Sequence, residues 1–178
     1  MALDNYCLLK MIAAAGSVRG RKKLQKLVYL AQLEGCPIED RFALHYYGPY
    51  SSDLAARIDD LVERKRLVEH TSSPAPGAVE YRYELSPECP DLLARAEATA
   101  PPQVVRTADE HAARFVERAQ RDVRELELAA TILYWRDWGY EWDEAERTAA
   151  RLKDANLGSS LCVAAQRLAQ DVWSHRLT

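Results

Sequence analysis

Arg21-Lys22-Lys23-Leu24-Gln25-Lys26-Leu27-Val28-Tyr29-Leu30-Ala31-Gln32 and, after a short gap, His45-Tyr46-Tyr47-Gly48-Pro49-Tyr50-Ser51 decide how the chain folds. In the first run Leu24, Leu27, Val28 and Ala31 recur at helical spacing, so one face is apolar. The periodicity predicts a helix over about 18–34, stopped by Gly35 and Pro37. At 100° per residue Arg19, Lys22, Lys23 and Lys26 fall on an arc opposite that stripe. In the second run, residues 41–47 alternate Phe42, Leu44 and Tyr46 with Ala43, His45 and Tyr47, the period of a short half-buried strand. Gly48-Pro49 predicts a sharp turn, and Ser51 or Ser52 a capped helix over 52–64 that buries Leu54, Ile58, Leu61 and Val62.

Outward from this centre, Leu8, Leu9, Ile12 and Ala15 predict a first helix over 4–15. Residues 67–70 and 79–85 read as two strands of a hairpin joined by Thr71-Ser72-Ser73-Pro74-Ala75-Pro76-Gly77. Pro87, Pro90 and Pro101-Pro102 bracket a short helix over 91–99. Thr107-Ala108-Asp109-Glu110 has the form of a capping box. It predicts one long helix carrying the stripe Ala108, Ala112, Phe115, Ala119, Val123, Leu126, Ala130 and Leu133, followed by helices over 142–155 and 160–175. The expected fold class is mainly α with a small β-hairpin (α+β). A winged helix-turn-helix-like domain would occupy 1–87, a short helix and Pro-rich linker 88–106, and a helical region 107–178.

Composition limits the function. The 178 residues carry a net charge of −3. Residues 1–87 hold 12 Lys/Arg against 11 Asp/Glu, leaving 12 against 16 for the rest (24 − 12 and 27 − 11). That is not the basic chain of a strong nonspecific nucleic-acid binder. Met-Ala-Leu-Asp-Asn-Tyr at the start lacks a charged region before a long apolar run, and no stretch approaches a membrane span, so the expectation is a cytoplasmic protein. Cys7, Cys36, Cys89 and Cys162 have no C-x-x-C spacing and read as reduced, buried thiols. His45, His70, His111 and His175 have no H-x-x-x-H or carboxylate at ligand spacing. There is no Walker loop, no G-x-G-x-x-G and no nucleophile elbow. Catalytic residues, a metal and a cofactor are therefore not expected.

The run Lys23–Gln32 with His45–Ser51 resembles the SocA-like Panacea antitoxins, in which a K-L-Q-K-L-x-Y-x-A-Q helix precedes a Y-G-P turn. It is more similar still to the YwgA-like bacterial proteins, where L-H-Y-Y-G-P-Y-S is followed by a leucine-containing helix. The resemblance covers about 1–87 and implies a winged helix with added helices. It also implies recognition of another protein, as an antitoxin or proteolytic adaptor performs it. The helical half from Thr107 onward departs from the antitoxin pattern, so no family partner transfers directly.

Read as a DNA-binding element, the 52–64 helix would face phosphates with Ser52, Ala56, Asp59, Asp60 and Glu63, and its three carboxylates oppose that role. Arg57 and Arg64 flank it. The candidate contacts to a protein or to a phosphate backbone are Arg19, Lys22, Lys23, Lys26, Tyr47, Tyr50, Ser52 and Arg57. Trp135, Trp138, Tyr140 and Trp142 read first as packing of the C-terminal helices. A protein partner is favoured. The alternative is a winged-helix DNA-binding regulator that forms a homodimer through those C-terminal helices.

Overall fold

Two helices are buried on nearly every side, and the other elements are arranged around them. The computed structural model describes residues 1–176. Helix α2 (Arg21–Leu33) buries every residue from Leu24 to Ala31, and α6 (Val123–Asp137) buries Leu126 and then Leu128 through Leu133. A helix with a single apolar stripe leaves its other face to water, so continuous burial means cover from several directions. Helix α2 packs against α5 (Pro102–Ala119), α6 and α8 (Ser160–Ser174). Helix α6 also packs against α7 (Trp142–Leu152) and α8. The first helix, α1 (Leu3–Ala15), lies on α5 and on α4 (Cys89–Thr99). One apolar cluster runs from Tyr6 to Val172.

The β structure is small and antiparallel. Strands β1 (Val18–Arg19), β4 (Leu67–Ser72) and β5 (Glu80–Leu85) form a sheet in the order β1-β5-β4, with Val18 opposite Tyr83 and Leu67 opposite Leu85. Strands β2 (Ala43–His45) and β3 (Gly48–Tyr50) form a separate two-stranded hairpin. Helix α3 (Ser52–Glu63) follows it, with the Ser51 hydroxyl accepting the Leu54 N–H at 3.1 Å as its cap. The chain is thus a mostly helical α+β protein.

Several boundaries differ from the sequence expectation. Val18 and Arg19 do not begin α2. They form β1, and Gly20, at φ +91°, turns the chain into the helix. Residues 41–47 are not one strand ending at a Gly48-Pro49 turn: the turn is Tyr46-Tyr47, and Gly48 and Pro49 lie in β3. Tyr46 is consequently 78% exposed rather than in the core, while Phe42 and Leu44 are half-buried. The predicted long helix from Thr107 is two helices. Helix α5 starts at Pro102, where a missing N–H costs nothing in the first turn. The chain breaks at Gln120–Asp122, and the Asp122 carboxylate caps α6 by accepting from Arg124 N–H at 2.8 Å. The apolar stripe continues across the break, which is why periodicity alone reads it as one helix.

A buried ion pair fixes the far end of α2. Glu34, fully buried, accepts from both terminal nitrogens of Arg118 on α5, and Arg118 also reaches Asp171 on α8 at 3.3 Å. Such a pair adds little net stability but penalises any packing that separates its members.

Of the core residues expected from the sequence, Leu24, Leu27, Val28, Leu54, Ile58 and Leu61 are buried in this cluster, whereas Val62, like Phe42 and Leu44, is only half-buried. Leu27→Ala is expected to cost about 2–5 kcal/mol in urea unfolding. A loss below about 1 kcal/mol would mean that α2 is not packed as described.

Candidate functional site

The β2–β3 hairpin presents aromatic rings on a backbone that accepts hydrogen bonds from Lys26 and Lys153. Ala43 pairs with Tyr50, Leu44 with Pro49 and His45 with Gly48, leaving Tyr46 and Tyr47 as the loop. Pro49 is tolerated because a two-stranded hairpin has free edges. Gly48 takes φ +82°, and a Cβ there would stand 2.8 Å from Thr131 Oγ1 and 3.3 Å from the Glu127 carbonyl oxygen. The strand therefore rests directly on α6. Lys26 Nζ donates to the Pro49 carbonyl at 2.6 Å, and Lys153 Nζ, just after α7, donates to the Tyr46 carbonyl at 2.6 Å. The Gln25 side chain both donates to the Ser51 carbonyl and accepts the Ser51 N–H, each at 2.9 Å, which ties α2 to the start of α3. Above these anchors Tyr46 and Tyr47 meet edge to face at 5.0 Å, and the His45 and Tyr50 rings lie 5.2 Å apart.

Three lysines lie around one carboxylate beneath the loop. Lys22 Nζ is 3.5 Å from Glu127 and 4.0 Å from the centre of the Tyr47 ring. Lys26 is 1% exposed and its hydrogen bond goes to a neutral carbonyl. Burial pushes its ammonium pKa down to about 8; Lys153 and Lys22 push the same way, against the attraction of Glu127. Burial lowers Lys153 as well, with Lys22 adding to the shift and Glu127 opposing it. A cavity of about 240 Å³ lies between α2 and the hairpin, bounded by Arg21, Lys22, Gln25, Lys26, His45, Tyr47, Gly48 and Tyr50. A second, of about 160 Å³, shares Arg21, Gln25 and Tyr50 and reaches Asp59 of α3 and Tyr83 of β5. Between them Arg21 is held by Glu69 at 2.9 Å and by the Tyr83 hydroxyl at 2.9 Å, and it stacks 3.9 Å from the Tyr81 ring centre.

The residues singled out in the sequence are only partly brought together. Lys22, Lys26, Tyr47 and Tyr50 meet at the larger cavity. Lys26, however, does not belong to an open cationic face, because α6 and the hairpin cover it. Lys23 is half-buried, and Arg19 lies apart on β1, exposed and opposite Arg82. Ser52 is exposed at the start of α3. Arg57 is taken up in ion pairs with Asp4 and, at 2.7 Å, with Asp40. Arg64 is held by Asp60 at 2.7 Å. Lys153, Glu127 and Thr131 were not legible as site residues: they approach only through the tertiary fold, and no short motif marks them. Tyr46 joins the site because the turn falls at Tyr46-Tyr47, and Arg21, at the head of the basic run, lines both cavities.

Two other side-chain clusters lie outside this site. Arg136 lies between the Trp142 and Trp173 rings at 4.9 and 5.2 Å, so most of the aromatic run packs the C-terminal helices; Trp138 stays 69% exposed. Glu34, Asp171 and His175 converge, their ligand atoms within 4.8 Å, but both Glu34 oxygens already accept from Arg118. Among the described residues, no helix is long and apolar enough to cross a membrane.

Fold and site together define a small, mostly helical α+β protein whose hairpin tip offers exposed aromatic rings. No family model matches the chain. It is 31% identical over 137 residues to the uncharacterized protein YwgA of Bacillus subtilis (strain 168), a match covering 76% of each chain. The chain belongs to the YwgA family.

Substitutions at Lys26, Gly48 and Thr131 probe the site's construction. Lys26 is protonated below about pH 8 when folded but up to about pH 10.5 when unfolded, so its burial costs stability at neutral pH and that cost fades as pH rises. Between pH 7 and 9.5, the stability of wild type relative to Lys26→Met should rise by about 2 kcal/mol in urea unfolding. A pH-independent difference would contradict the buried ammonium. Gly48→Ala should cost at least about 2 kcal/mol, from the left-handed backbone and the contact with Thr131, and Thr131→Ala should recover part of it. No recovery would mean that the hairpin does not rest on α6.

Proposed function

We propose that the protein is a non-catalytic cytoplasmic regulator whose N-terminal part is a winged helix that recognises another protein, in an antitoxin- or adaptor-like role of the kind its Panacea-like motifs imply. The order α1-β1-α2-β2-β3-α3-β4-β5, with strand order β1-β5-β4 and the β2–β3 hairpin inserted between α2 and α3, supports the winged-helix reading. The observation that carries the function is the hairpin tip: Tyr46, Tyr47 and Tyr50 are 78%, 50% and 37% exposed although the backbone beneath them is anchored to α2, to α6 and to Lys153. Rings held rigidly in water suit an interface, where tyrosine supplies contact area at little entropic cost.

DNA recognition through α3 is disfavoured. Its exposed side carries Asp59 and Glu63, and its arginines are engaged by carboxylates. One observation supports the alternative of a DNA-binding regulator dimerising through its C-terminal helices: Arg19 and Arg82 lie opposite one another across β1 and β5 where they could meet phosphates, although Arg82 is also 3.4 Å from Glu84.

The partner captured from the native host, identified and then purified, provides the test. Tyr46→Ala, Tyr47→Ala or Tyr50→Ala should speed its dissociation, with at least one variant doing so by about tenfold or more. Wild-type kinetics for all three would remove the hairpin from the interface. Tight, sequence-selective duplex binding lost on Arg19→Ala with Arg82→Ala would favour the DNA reading.

A further inference from the structure

Cys36 sits at the corner where α2 ends. Gly35, at φ +88°, turns the chain out of the helix, the Cys36 N–H donates to the Ala31 carbonyl at 2.9 Å, and Pro37 keeps the helix from resuming. Arg57 of α3 binds this corner to the start of α1, since it pairs with Asp4 in the first turn of α1 and, at 2.7 Å, with Asp40. Gln32 holds the same segment from α2 by donating to the Asp40 carbonyl at 2.9 Å. Between these ties Cys7, one turn beyond Asp4, meets Cys36. Both thiols are buried and share a hydrogen bond. Cys89 and Cys162 are buried too, but they lie singly on α4 and α8. The pair is polarised: the Cys36 S–H holds the Cys7 thiol below its ordinary pKa, against burial and the Asp4 carboxylate, while the same contact and burial push Cys36 up.

We infer that Cys7 and Cys36 form a disulfide when the protein meets hydrogen peroxide, bridging α1 to the turn that ends α2. The Cys7 sulfur attacks one peroxide oxygen, the O–O bond breaks, and Cys7 becomes a sulfenic acid while the departing hydroxide takes up the Cys7 proton as water. The Cys36 sulfur then attacks the Cys7 sulfur. The S–S bond forms, the S–O bond breaks, and the second hydroxide leaves with the Cys36 proton. Two thiols and one peroxide thus give one disulfide and two waters. The way in is the free end of α1: Ala2 offers no side-chain cap, and Met1 and Leu3 are exposed, so opening of that end admits a molecule as small as peroxide. Because the segment after Cys36 leads into β2, the bridge also ties the approach to the hairpin to α1.

The test treats the full chain, reduced and folded, with hydrogen peroxide. Remaining thiols are then alkylated in urea, and the protein is digested without reductant and mapped by mass spectrometry. The expected product links the peptides that carry Cys7 and Cys36, leaves Cys89 and Cys162 alkylated, and is reversed by dithiothreitol. Cys7→Ser and Cys36→Ser should each abolish the link, whereas Cys89→Ser with Cys162→Ser should keep it. The wild-type map decides the matter by itself if the serine variants do not fold. The linked protein should also unfold at a higher urea concentration than the reduced one, because the bridge restricts the unfolded chain. Recovery of Cys7 and Cys36 as unlinked thiols or as sulfinic acids would overturn the pair, as would a link made through Cys89 or Cys162. A lower urea midpoint for the linked protein would overturn it too, since the bridge would then distort the fold that places the two thiols together.

Discussion

The structure depends on the contact between the Gly48-Pro49 backbone and the buried flanks of α2 and α6. Helix α2 has an apolar stripe for the N-terminal core, and its opposite side is covered by α6 rather than left to water. That cover turns Lys26 inward. A buried ammonium needs an acceptor, and the Pro49 carbonyl supplies it at 2.6 Å. The same approach leaves no room for a side chain at position 48, since a Cβ would fall 2.8 Å from Thr131 Oγ1. One close contact therefore seats the hairpin, sets its turn and charges the ground beneath it.

The remaining architecture holds that contact in place. Glu34 and Arg118 lock the C-terminal end of α2 to α5, and Asp171 extends the lock to α8. Gln25 binds the backbone of Ser51, so the entry into α3 follows the position of α2. Lys153 reaches back from beyond α7 to the loop carbonyl of Tyr46. Elements far apart in the chain thus converge on the hairpin, and its tyrosine rings face outward.

Local pattern carried much of this fold in the sequence, and it failed where tertiary cover decides. The α2 stripe, the Ser51 cap and the β4–β5 alternation each follow from a period or a side-chain hydrogen bond that neighbouring residues determine. The α5–α6 break was hidden because the apolar stripe stays in phase across Asp122. Tyr46 falls in phase with Phe42 and Leu44, and alternation over so few residues does not distinguish the end of a strand from a turn. Lys26 was read as exposed because a helical wheel reports the face opposite one core and knows nothing of a second helix packing there. For the same reason Lys153 and Glu127 could not be named: they join the site across more than a hundred residues of chain in the one case and across the α2–α6 seam in the other.

The central claim is that the aromatic tip is rigid before any partner arrives. Backbone ¹⁵N relaxation of the free protein measures this directly at the amides of Tyr46, Tyr47 and Gly48. Order parameters near those of α2 and α6, at about 0.85, are the predicted result; values below about 0.6 at the tip would contradict the account, because the anchors at Lys26, Thr131 and Lys153 would not be holding it.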